Sequence, residues 1–203
     1  MLKRFVAFTL AEVLLVAGIA GFVGASTIPN MVKSYQKKAN VAKAKAVLMK
    51  LDAAMQQVDV YKTLMGKTTD SARSAAILNA LEEHLSFRLV CGATANSICF
   101  TTTNMTDTST VNKFDAQDND KVKSADCAKA IINDGTEMAL CFEHLNPTDK
   151  ENAPGYRGKI FIDVDGRSKG PTKRGEDIFS FMISGSGVSV RQNNIEADLF
   201  SQR

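Results

Sequence analysis

The chain has no tryptophan, only two histidines and four prolines in 203 residues. His84 closes a helical stripe beside Glu82 and Glu83, and His144 follows a strand-like run, so a general acid–base pair is hard to assemble from either. Nucleophile elbow, Walker loop, glycine-rich dinucleotide fingerprint and metalloprotease helix are all missing. These absences point away from an enzyme. The four cysteines include no Cys-x-x-Cys pair, which leaves zinc few ligands. Charge is nearly balanced, 25 Lys+Arg against 22 Asp+Glu for a formal net charge of +3, so composition makes no case for a specific nucleic-acid binder.

Acidic residues are also scarce where the chain is most apolar. From Phe8 to Val23 the sequence is FTLAEVLLVAGIAGFV, interrupted by one carboxylate, Glu12. Lys3 and Arg4 precede the run, which continues through Ile28 and Pro29 to Met31 and Val32. That is roughly the 20 residues a helix needs to cross about 30 Å of hydrocarbon. A charge near mid-bilayer costs on the order of 2.5–3.5 kcal/mol by insertion scales, so Glu12 requires a partner. Gly18, Gly21, Gly24 and Pro29 soften the helix, and a bend or local melting is expected near Pro29. Val23-Gly24-Ala25 also fits a conventional signal-peptidase site, after which a secreted protein would start at Ser26.

Beyond the anchor about 170 residues remain, enough for one compact head. Lys33, Lys37, Lys38, Lys43, Lys45 and Lys50 follow with no acid until Asp52, a solvated basic helix face or a contact for acidic lipid or nucleic acid. Val41, Ala44, Leu48, Leu51, Met55 and Val58 recur at helical spacing, widened by Val47, Ala54, Tyr61 and Met65. One stem helix running to about Met65, stopped by Gly66, is predicted. Thr69 or Asp70 caps a second helix with Ile77, Leu81 and Leu85 inward. Residues 93–120 have the composition of loop, and a brief helix is expected over 125–132. Residues 138–142, 159–164 and 178–183 read as strands, with 188–190 as a fourth. Helix first and antiparallel sheet after it make an α+β fold in which the sheet packs on the helix stripe.

Cys91, Cys99, Cys127 and Cys141 all follow the anchor, and four cysteines allow three connectivities. Pairs Cys91–Cys99 and Cys127–Cys141 are favoured because each closes a short loop of sparse apolar content, at about 2–3 kcal/mol each. Zinc and free thiols are the rivals.

The N-terminal residues resemble those of the type IV pilins and of the pseudopilins of type II secretion. The basic leader, small Ala7, Phe8-Thr9-Leu10, Glu12 and deep Pro29 carry the likeness. The family more often has glycine at the place of Ala7 and a large aliphatic residue at that of Ala11. The resemblance implies a leader (1–7) cut by a prepilin peptidase between Ala7 and Phe8, with methylation of the new amine. It further implies a transmembrane and assembly helix (8–32), an amphipathic stem (33–65) and a globular head (66–203). Partners would be self and sister pilins in a filament, the peptidase, an assembly ATPase with its platform protein, and the membrane. The location implied is a single-pass inner or cytoplasmic membrane with an extracytoplasmic head, then an extracellular or periplasmic filament. Asp163, Asp165 and Asp177 lie in a segment resembling the C-terminal loop of major pseudopilins, where carboxylates and carbonyls bind calcium. Arg167, Lys169, Lys173 and Arg174 crowd that loop and oppose a cation, and a hairpin turned at Asp165-Gly166 is the alternative.

Overall fold

The computed structural model describes residues 9–93, 99, 126–142, 158–166, 175–184, 187–189 and 200. The chain divides into two compact units, Met1–Ala39 and Asn40–Arg203. Helix α1, Leu10–Met55, begins in the first and ends in the second.

In the first unit α1 runs through Pro29 without interruption, so the melting expected there does not occur. Proline leaves the Ala25 carbonyl without its usual donor, yet the helix continues, and polar side chains nearby bond to other carbonyls of the same turns. Ser26 Oγ and Thr27 Oγ1 both donate to the Val23 carbonyl, at 3.0 and 2.7 Å, and Asn30 Nδ2 donates to Ser26 O at 3.4 Å.

The second unit is α+β. After α1 come α2 (Val60–Leu64), α3 (Asp70–Glu82) and strands β1 (Phe87–Ala93), β2 (Cys127–Ile132), β3 (Glu137–Phe142), β4 (Gly158–Asp163), β5 (Ile178–Ser184) and β6 (Gly187–Ser189). The strands form one antiparallel sheet in sequence order. Ala44, Val47, Leu51, Ala54 and Met55 of α1 are buried in one cluster with Ile77, Leu78 and Leu81 of α3 and with Leu140, Ile160, Ile162, Phe179 and Phe181 of the sheet. Each fully buried leucine or phenylalanine stabilises this arrangement by about 1.5–3 kcal/mol. Ser74 of α3 adds a fixed polar tie, its Oγ accepting from Phe142 N at 2.9 Å.

Three expectations change. The stem helix stops at Met55 rather than Met65, because Asp59 accepts from Lys62 N at 3.0 Å and starts a separate helix. The residues buried there are Val60 and Leu64, whereas Tyr61 and Met65, counted in the helical stripe, are 68% and 64% exposed. Gly66, at φ 75°, ends α2.

Residues 127–132 form a strand, not the brief helix expected over 125–132. Their faces alternate with period two: Ala128, Ala130 and Ile132 enter the main core, and Cys127, Lys129 and Ile131 take the other face. Direct pairing of Cys127 with Cys141 fixes that register. Strand β1 is an addition, an edge strand with register shifts between Phe87 and Leu89 and between Val90 and Gly92. Such bulges protect an exposed edge against further pairing. The predicted loop 93–120 lies almost wholly outside the described residues, and its one described member past Ala93 is Cys99.

The sheet's second face is buried as well. Cys127, Ala139, Cys141, Phe161 and Ile178 make a satellite cluster there, and Lys129, Glu137, Lys159, Asp163 and Ser180 are buried beside them.

Candidate functional site

The apolar part of α1 is the first candidate. Leu10 to Val32 carries no buried side chain, with Leu10 80% and Phe22 77% exposed. It is the one described helix long and apolar enough to cross a membrane. Of the processing residues, Ala7 and Phe8 lie outside the described residues.

Glu12 is the one acid in the first turn of α1. Its Oε2 accepts from Thr9 N at 2.8 Å and from Thr9 Oγ1 at 2.9 Å, while Glu12 N donates to Thr9 Oγ1 at 3.3 Å. This reciprocal Thr-x-x-Glu arrangement is a capping box, which satisfies amide donors that the first helical turn leaves without partners. The spacing is visible in the sequence, where an acid inside an apolar run reads as a charge before it reads as a cap. Pro29, the other assembly candidate, sits inside the exposed apolar stretch with the Ser26, Thr27 and Asn30 bonds around it.

Further along, α1 positions two turns of the head. Lys43 Nζ donates to the carbonyl of Val164 and, at 3.5 Å, to that of Asp134. Lys50 pairs with Asp134 at 4.0 Å, and Asn40 Nδ2 donates to Glu176 O at 3.0 Å. Burial pushes the Asp134 carboxyl up, but the Thr136 amide, donating to its Oδ1 at 2.9 Å, and the Lys43 and Lys50 charges outweigh it and hold it below the usual range. Lys45 lies over the Phe200 ring, 5.7 Å from its centroid. Lys43 and Lys50 clamp turns of the head, a role their solvated-face reading did not include.

The structure joins Cys91 to Cys99 and Cys127 to Cys141, with Cα atoms 6.1 and 4.2 Å apart. The second bridge links directly opposed residues of β2 and β3.

Among the three candidate calcium ligands, Asp163 and Asp165 share a side-chain hydrogen bond and Asp177 lies within electrostatic reach. Asp163 ends β4, opposite Glu137 on β3 and Ile178 on β5. Its Oδ1 accepts from Gly166 N at 2.9 Å, closing a turn in which Gly166 holds φ 73°. Burial, then the Asp165 hydrogen bond and the Asp165 and Asp177 charges, push the Asp163 carboxyl up to about 7 against the opposing Gly166 amide. No group of three or more His, Cys, Asp or Glu side chains positioned to hold a metal ion occurs among the described residues. Residues 167–174 of the loop between Asp165 and Asp177 lie outside the described residues. Burial likewise pulls the Lys129 ammonium down to about 8.

Set against protein-family models, curated proteins and solved structures, the chain matches none.

Proposed function

We propose that this chain is a structural, non-enzymatic subunit of a type IV pilus-like filament or type II secretion pseudopilus, membrane-held through residues 8–32 until its helices pack together. One observation carries the reading: an exposed apolar stretch of helix, Leu10–Val32, belongs to the same helix whose later turns form the core of an α+β head. An apolar surface of that length needs lipid or copies of itself to cover it.

Under this reading a prepilin peptidase cuts between Ala7 and Phe8, and Glu12 meets the new amine of a neighbouring subunit. In the low dielectric of packed helices that charge-assisted contact fixes subunit register. Sister pilins, an assembly ATPase and its platform protein complete the partners, and the head lies outside the cytoplasm, where its disulfides persist.

Mass spectrometry of the mature N-terminus tests the proposal. A chain starting at methylated Phe8 is expected. A soluble monomer starting at Ser26 would overturn it in favour of conventional secretion.

A further inference from the structure

The six lysines between Glu12 and Asp52 divide into two sets. Lys43, Lys45 and Lys50 have partners in the head. Lys33, Lys37 and Lys38 are exposed and make no hydrogen bond or ion pair among the described residues. Tyr35, between them, is 76% exposed.

We propose that Lys33, Lys37 and Lys38, with Tyr35, form a collar that binds anionic phospholipid headgroups where the apolar stretch of α1 ends. This rests on the membrane-spanning reading above. Lys33 directly follows Val32, the last residue of that stretch, so a helix spanning the hydrocarbon delivers the collar into the headgroup layer. Lys33 to Lys38 covers about 7.5 Å along the axis at about 1.5 Å per residue. The polar layer on each side of a bilayer is roughly 5–8 Å deep.

The angular distribution favours lipid over a protein partner. At about 100° per residue, Lys33 and Lys37 lie about 40° apart, Lys38 about 100° beyond Lys37, and Tyr35 on the side opposite Lys33 and Lys37. A single docked chain would be met by one stripe, whereas a headgroup layer surrounds the helix. No carboxylate competes for these ammonium groups within the first unit beyond Glu12, at the opposite end of the apolar stretch. Tyrosine is itself a residue of membrane–water interfaces, and lysines beside a span attract anionic lipid.

The test uses the full chain in phosphatidylcholine vesicles containing phosphatidylglycerol, with trace spin-labelled lipid of either headgroup reporting the shell around the protein. Labelled phosphatidylglycerol is expected to be enriched about five-fold or more over labelled phosphatidylcholine. The enrichment should fall to near unity in the Lys33→Gln/Lys37→Gln/Lys38→Gln variant, and in the wild type at about 1 M salt, where the Debye length is about 3 Å. Equal enrichment in variant and wild type overturns the collar. So does an absent preference in which the triple substitution instead changes self-association in pure phosphatidylcholine, since the lysines then serve a second copy. Alkaline carbonate separates the two levels: a chain washed off the vesicles removes the membrane reading and the collar together, whereas a retained chain with no lipid preference removes the collar alone.

Discussion

Thr9 and Glu12 exchange three hydrogen bonds at the start of α1, which gives Glu12 two separable jobs. As a cap it needs only an acceptor, and glutamine supplies one. As the partner of a neighbour's amine it needs charge, because a hydrogen bond to a charged group contributes about 1.5–3 kcal/mol against about 1 kcal/mol for a neutral one. Glu12→Gln therefore discriminates between them. Circular dichroism is expected to show unchanged helix content, and electron microscopy to show filaments lost, the deficit being repeated at each subunit contact. Normal filaments from Glu12→Gln would reduce the residue to its capping role.

Among the elements, α1 does more than present an apolar stripe. Asp52 Oδ1 accepts from Val188 N at 2.9 Å and so ties the short edge strand β6 to the helix. Gly187 beside it holds φ 125°, and a Cβ there would meet Asp52 Oδ1 well inside van der Waals contact. Gly187→Ala is expected to destabilise the head by about 2 kcal/mol. The share due to the Asp52 contact should vanish in an Asp52→Ala background while the strain of φ 125° remains, and denaturant melts of the four-member cycle read the coupling. Strands β3, β4 and β5 and helix α3 were legible because runs such as Ile160-Phe161-Ile162 and the Thr69 cap carry strong local signals. Thr69 Oγ1 indeed accepts from Ala72 N at 3.2 Å. Strand β2 was not legible, since Ala128, Lys129 and Ala130 are poor strand formers locally and the pairing with β1 and β3 is a tertiary decision. The break at Met55 was hidden for a related reason: Tyr61 and Met65 fit the helical period but face solvent. Among the candidate site residues, the Asp163–Asp165 proximity follows from a two-residue spacing at a turn, while the reach of Asp177 depends on β4 pairing with β5. The lysine clamps at Val164 and Asp134 needed the fold itself, because nothing local distinguishes Lys43 and Lys50 from Lys33 and Lys37.

At the scale of the whole head, buried charge on the sheet's second face sets how stability responds to pH. Asp163 has its carboxyl raised to about 7 from 3.8. A carboxyl raised on folding contributes stability that is complete below its unfolded value and is lost as pH climbs through the folded one. The Lys129 ammonium, lowered to about 8 from 10.5, works in the opposite sense: its contribution is complete above the unfolded value and is lost as pH falls through about 8. Together the two groups place a trough in stability at about pH 7–8, where the carboxylate is already ionised and the ammonium still largely charged. Melting of the intact chain in neutral detergent is expected to be about 5 °C higher at pH 5 than at pH 7.5, on a scale of roughly 2–4 °C per kcal/mol for a protein of this size. Asp163→Asn keeps an acceptor for the Gly166 amide and removes the titration, so it should abolish the acid side of the trough and raise the melting temperature at pH 7.5. A wild-type profile that is flat between pH 5 and pH 7.5, or the same slope in the Asp163→Asn variant, would mean that burial on this face does not hold the Asp163 proton.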